Sequence, residues 1–312
     1  MNFRSVADLQ RTITRNLHRV PRDIDVIVGI PRSGLLAANM LALALNLPLA
    51  DIDGWLESRV LASGRRGVAR PSNRSRRALL VDDSVSTGRS LEAVRRKISA
   101  AHKDSYLTCA IYTTTDTRGL VDLAFEVCPQ PRLFGWNYLH HPLLEMACVD
   151  IDGVLCRDPT TKENDDGPEY RHFLDAVDPM VVPTYPIGCL VTSRLEKYRE
   201  PTERWLVAAG VRYHALEMLD VPSAAIRRSM GNHASFKASV YRRRNALLMI
   251  ESDHRQAVEI AKTSGKPVLC VETQELIQPS SLSPLAWAQR VRRGPRYALL
   301  HLWRLRHRLE RR

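Results

Sequence analysis

Apolar residues recur along this chain in two spacings. Short unbroken runs alternate with stretches in which every third or fourth residue is apolar. Ile24 to Ile30, Ala78 to Val81 and Leu107 to Tyr112 read as buried strands. Between them lie helical stretches at Leu35–Leu45 and Leu91–Ala101, and an opening helix with Val6, Leu9, Ile13 and Leu17 on one face, ended by Pro21. Near Pro131–Pro142 the rhythm breaks and then restarts. Glu145–Val149, Gly188–Thr192, Ala246–Ile250 and Val268–Val271 read as strands, with helices predicted at Arg194–Ala209 and Arg255–Thr263. Strand–helix alternation predicts parallel sheets covered by helices, an α/β fold class, twice over. The expected division is 1–140, 145–278 and a 279–312 linker with a tail.

A length of 312 residues supplies two ordinary cores, and 44% hydrophobic residues fits a globular chain. The first twenty residues carry charges throughout and lack the apolar block of a signal peptide. Leu35 to Ala50, the longest apolar run, contains Asn39 and Asn46 and is too short to span a bilayer. Six scattered cysteines form no CxxC or Cys/His cluster, which predicts reduced core thiols and a cytoplasmic setting. The net charge of +12 is concentrated at one end: Arg290 to Arg312 holds nine arginines and a single acid, Glu310. Wound as a helix from Arg296, that tail sets Leu299, Leu302, Trp303, Leu305 and Leu309 against Arg304, Arg308, Arg311 and Arg312. This composition suits the surface of an anionic membrane, and no nucleic-acid partner is expected.

Two segments carry candidate chemistry. In Leu79-Leu80-Val81-Asp82-Asp83-Ser84-Val85-Ser86-Thr87-Gly88-Arg89-Ser90-Leu91 a buried strand ends in paired carboxylates, followed by a hydroxyl-rich turn and a helix start. Backbone N–H groups at such a start cradle phosphate, Gly88 admits close approach, and carboxylates accept hydrogen bonds from vicinal hydroxyls. One strand–loop–helix can therefore grip a sugar phosphate at both ends. The segment resembles the motif by which type I phosphoribosyltransferases hold phosphoribosyl pyrophosphate (PRPP), and Gly29-Ile30-Pro31-Arg32-Ser33-Gly34 resembles their pyrophosphate loop. The likeness covers roughly residues 20 to 140. It implies that Asp82 and Asp83 bind the ribose hydroxyls. Ser84, Ser86, Thr87, Gly88 and Ser90 would hold the 5-phosphate, and Arg32 and Ser33 with Mg²⁺ the pyrophosphate. The basic stretch from Arg59 to Arg77 takes the place of the family's flexible loop, with Arg65 and Arg66 as pyrophosphate contacts. Purine-type members carry an aspartate at the position of Ser86, so a purine acceptor is disfavoured and the general base is unassigned.

The second segment, Ala147-Cys148-Val149-Asp150-Ile151-Asp152-Gly153-Val154, puts two carboxylates two apart at a strand end. One can attack phosphorus while the other protonates the leaving oxygen. It resembles the first motif of the haloacid-dehalogenase superfamily, and the likeness continues to about residue 275. It implies Asp150 as nucleophile, Asp152 as acid/base, Thr192 as phosphate-binding hydroxyl and Lys237 as the neutralising cation. Mg²⁺ would be held by Asp150 and Asp152 with Glu251 or Asp253. The same letters at Asp51-Ile52-Asp53-Gly54 have no downstream partners and read as a strand-end turn. The short span from Asp152 to Thr192 leaves room for a flap, as in Asp158 to Glu169, but not for a large lid, which suits a bulky substrate.

Taken together, two Rossmann-like domains resemble the bifunctional enzymes that place β-ribofuranose in bacterial surface polysaccharides. That resemblance implies PRPP as donor, a glycan acceptor on a lipid carrier, a peripheral position at the inner face of the cell membrane, and removal of the 5-phosphate after transfer. It leaves room for a homo-oligomer. Nucleotide metabolism with a nucleobase acceptor, or a PRPP-sensing regulator, are the competing expectations.

Overall fold

The computed structural model describes residues 1–61, 77–101, 105–230 and 233–282. Arg65, Arg66 and the tail helix expected from Arg296 lie outside them. The chain divides into two compact units, Met1–Trp136 and Asn137–Arg312.

In the first unit the elements run β1 (Asn2–Arg4), α1 (Val6–Asn16), β2 (Ile24–Gly29), α2 (Gly34–Leu45), β3 (Leu49–Asp51), α3 (Ile52–Leu56), β4 (Arg77–Val85), α4 (Arg89–Ala100), β5 (Tyr106–Thr113), β6 (Leu123–Val127) and β7 (Arg132–Phe134). Strands β3-β2-β4-β5-β6 form a parallel sheet, and β1 pairs with β7 beside it. A parallel sheet buries both faces, so its strands read as continuous apolar runs. Alternate residues serve opposite cores: Leu79 and Val81 pack with Leu9, Ile13, Leu41 and Ile111, whereas Ala78 and Leu80 pack with Val28, Ile52, Leu91 and Ile98. The α1 helix starts with a capping box, Ser5 Oγ accepting from Asp8 N and Asp8 Oδ2 from Ser5 N. Its face is narrower than expected, because Val6 is exposed and Leu17 lies in a following 3₁₀ turn. β4 is longer than its apolar run, continuing through both aspartates to Val85 by pairing with β5. The Asp-Ile-Asp-Gly copy at 51 ends β3, and Asp51 caps α3 through the N–H of Gly54.

The second unit contains β8 (Ala147–Val149), α5 (Pro168–Ala176), β9 (Cys189–Leu195), α6 (Arg199–Ala208), β10 (Leu216–Leu219), α7 (Ala224–Met230), α8 (His233–Arg243), β11 (Leu248–Glu251), α9 (His254–Ser264), β12 (Val268–Cys270) and β13 (Glu275–Ile277). Its sheet runs β10-β9-β8-β11-β12-β13, parallel except for β13. Two predicted elements change here. Glu145 and Met146 lie in a 3₁₀ turn before β8, and Arg194 extends β9 instead of opening a helix, which begins only at Arg199. All six cysteines are free and buried. Among the described residues, no helix is long and apolar enough to cross a membrane.

Candidate active sites

In the first unit the site forms where β4 gives way to α4. Asp82 and Asp83 are buried, while the hydroxyl-bearing Ser86, Thr87 and Ser90 are exposed. Gly88 has φ +78°, the left-handed region, where a side chain is strained. Gly34 is required by proximity: a Cβ there would stand 2.8 Å from the carbonyl oxygen of Val81 and 3.2 Å from Asp82 Oδ1. That contact draws the Pro31–Gly34 turn, with its cis Pro31–Arg32 peptide and exposed Arg32, against the aspartates. Ser33 Oγ donates to Asp83 Oδ1 at 2.8 Å, and Trp136 Nε1 donates to Asp83 Oδ2 at 2.8 Å. Gln130 Nε2 donates to Ser86 Oγ at 3.2 Å. Burial, with the Asp83 carboxylate beside it, pushes Asp82 up to about 8. Arg132 is buried with Nη1 unpartnered, and burial holds its guanidinium below the usual arginine value. Ser84 lies within β4, so the exposed cradle narrows to 86–90.

In the second unit three side chains meet below the strand ends. Lys237 Nζ, from α8, contacts Asp150 Oδ2 at 2.5 Å and Glu251 Oε2 at 2.7 Å, all three nearly inaccessible. One ammonium between two carboxylates leaves net negative charge; burial pushes Asp150 well above the usual carboxylate range, while the two anions outweigh burial and hold Lys237 above its ordinary value. Arg194 forks onto Asp152, Nη2 to Oδ1 at 2.7 Å and Nε to Oδ2 at 3.1 Å, with its plane near Phe173 and Trp205. Gly153, at φ +75°, has no room for a side chain, since a Cβ would lie 2.4 Å from Ser252 Cβ. Asp158 approaches the same spot, and its carboxyl is raised by burial and by Asp152. Arg227 bonds the carbonyl of Ser193 at 3.1 Å and Asn164 Oδ1 at 2.8 Å, tying α7 to β9 and to the Asp158–Glu169 loop.

The four expected metal ligands do not assemble as a ligand set. Glu251 shares Lys237 with Asp150, Asp152 faces Arg194, and Asp253 caps α9 through the N–H of Gln256. Among the described residues, no group of three or more His, Cys, Asp or Glu side chains stands ready to hold a metal ion. Thr192 is fully buried and its Oγ1 accepts from the Arg194 N–H, which keeps it below the strand ends rather than open to a ligand. Sequence reasoning missed Trp136, Arg132, Arg194 and Arg227. The one local signal was a charged residue, Arg194, two places after Thr192 in an apolar run.

Residues 3–118 match the family model described as "Phosphoribosyl transferase domain". Solved structures similar to this chain include a purine phosphoribosyltransferase from Pyrococcus horikoshii, at 19% identity and a TM-score of 0.33, covering 43% of this chain and 92% of that one. A xanthine-guanine-hypoxanthine phosphoribosyltransferase from Helicobacter pylori is similar at 18% identity and a TM-score of 0.34, covering 43% of this chain and 92% of that one. The hypoxanthine phosphoribosyltransferase of Trypanosoma cruzi, in complex with the product IMP, shares 16% identity over 39% of this chain and 76% of that one, with a TM-score of 0.28. These likenesses are too distant to add to the family match. No curated protein matches the chain. Phosphoribosyltransferases typically use Mg²⁺ with PRPP, and the buried Asp82–Asp83 pair beside exposed hydroxyls suits a hydroxyl-rich donor with its cation. The N-terminal part of the chain, residues 3–118, matches a phosphoribosyl transferase domain and has an α/β fold.

Proposed function

We propose that the chain transfers 5-phosphoribose from PRPP to a glycan hydroxyl and then removes the 5-phosphate, leaving a β-ribofuranosyl residue. The observation that carries the first step is the Asp82–Asp83 pair leading into the Ser86–Ser90 turn within the matched domain. An acceptor oxygen attacks the anomeric carbon, the bond to pyrophosphate breaks, and the hydroxyl proton is lost to solvent or to an unassigned base. Arg32 stands exposed where the departing diphosphate charge needs a cation. Mg²⁺ travelling with the diphosphate supplies further charge neutralisation. Ser86 is a hydroxyl engaged by Gln130, a poor proton acceptor for a nucleobase, and this favours the glycan reading.

The second step rests on the Lys237–Asp150 contact. A carboxylate oxygen of Asp150 attacks phosphorus, the ester P–O bond breaks, and the sugar oxygen takes a proton from Asp152 or from solvent; water then cleaves the acyl phosphate, giving up its proton, to free Asp150 and phosphate. Lys237 offsets the phosphoryl charge, and Arg194 fixes the orientation of Asp152. Retaining the 5-phosphate through transfer keeps binding energy remote from the reacting carbon, so hydrolysis belongs afterwards. The basic sequence of 290–312 suits an acceptor carried on lipid at an anionic membrane.

Incubation of the chain with PRPP, Mg²⁺ and a panel of glycans and nucleobases, read by mass spectrometry, tests this. Pentose addition to a glycan, with phosphate retained only in the Asp150→Asn variant, is expected. Pentose phosphate appearing on a base instead overturns the glycan assignment.

A further inference from the structure

The two aspartates of the transferase site are neighbours in sequence but are held differently. Both carboxylate oxygens of Asp83 are engaged by neutral donors, Ser33 Oγ on Oδ1 and the Trp136 indole N–H on Oδ2, each at 2.8 Å. Among the described residues, Asp82 bonds to the backbone of Asp83 and Ser84 and to the neighbouring carboxyl. Trp136 reaches Asp83 from 53 positions downstream and lies beyond the matched 3–118 segment. Its aim is fixed by stacking: its ring lies 4.9 Å from that of Phe134 at 16°, Phe134 lies 5.4 Å from Tyr112, and the Arg132 guanidinium sits 5.4 Å from the Phe134 ring. An indole N–H can only donate, so at this position it favours an acceptor that keeps its charge and does not turn.

We propose that Trp136 is a positioning residue for phosphoribosyl transfer. Its N–H pins the Asp83 carboxylate, makes Asp83 the fixed member of the pair, and leaves Asp82 as the partner that exchanges hydrogen bonds as the donor's ribose hydroxyls enter. Trp136 acts through Asp83 and does not touch the donor. The proposal rests on reading the first unit as a PRPP site.

Calorimetric titration of PRPP with Mg²⁺ into the full chain tests it. Trp136→Phe keeps a ring for stacking and removes the N–H; binding is expected to weaken about tenfold or more, the scale of a charged hydrogen bond. Trp136→His, a smaller ring that restores an N–H, is expected to bind better than Trp136→Phe, the reverse of what a packing role gives. In an Asp83→Asn background the Trp136→Phe loss is expected to shrink to about twofold or less. If Trp136→Phe is too unstable to assay, Trp136→His against Trp136→Leu supplies the same ordering. Binding by Trp136→Phe equal to wild type, Phe outperforming His, or an undiminished loss in the Asp83→Asn background overturns the inference while the PRPP site stands. Failure of the unaltered chain to bind PRPP removes both.

Discussion

The two acidic centres of this chain are built on opposite electrostatic plans. In the first unit Asp82 and Asp83 are buried together, the Ser33 and Trp136 donors on Asp83 are neutral, and Asp82 is pushed up to about 8. In the second unit the buried carboxylates meet buried cations directly: Asp150 and Glu251 share Lys237, and Asp152 is forked by Arg194. A pair with no direct ion pair among the described residues, the buried Arg132 guanidinium acting on it only at a distance, is disposed to receive hydroxyls and a cation from outside. A centre furnished with its own ammonium and guanidinium is disposed to receive an anion. The difference teaches that counting aspartates does not define a site; the charge left uncompensated around them does.

That contrast can be broken most severely at Asp150. Asp150→Asn is expected to lower phosphate release by about 10³-fold or more while pentose phosphate addition continues, checked by mass spectrometry of the adduct. Lys237→Met strands two buried carboxylates and is expected to cost about 3–5 kcal/mol; calorimetric unfolding should show the loss in the second unit's transition alone. The first unit responds to pH instead. Asp82 is protonated in the folded chain up to about 8, against an ordinary value of 3.8, so its contribution is full below pH 3.8 and fades as pH rises through about 8. Asp82→Asn should flatten that slope in melts taken across the range, and an unchanged slope would refute the assignment. Arg194→Lys keeps charge but loses the fork, with an expected penalty of ~1–3 kcal/mol in phosphatase transition-state stabilisation and a displaced pH–rate profile. Ser5→Ala, remote from both centres, should cost only ~1 kcal/mol through the α1 cap and leave both activities in place.

The strand–turn–helix at 79–91 was legible because an apolar run, a Gly and a cluster of hydroxyls follow one another within a single local element. Asp150 and Lys237 were legible as residue types in order, although nothing local said that Lys237 would also take up Glu251. Trp136 was invisible for a different reason: its partner is set by the β1–β7 pairing and an aromatic stack, long-range contacts that leave no periodic trace in the sequence. Arg194 misled because a charge after a strand-like run resembles a helix start. Its burial is tolerated only because Asp152 and two aromatic rings receive it, a tertiary fact. The partners that the structure gives the expected metal ligands were not legible, because a carboxylate that caps a helix and one that faces an arginine look the same in the sequence as ones left free.

Gly153 gives experimenters a neutral handle. With Ser252 Cβ 2.4 Å from where a methyl would sit and φ at +75°, Gly153→Ala must wedge the loop after β8 away from the loop after β11. On the proposed function it should silence phosphate removal by shape alone, with every ionisable group retained. On the function proposed above, a cell carrying that allele is expected to accumulate the phosphorylated product without the confounding loss of charge that an Asp150 replacement brings.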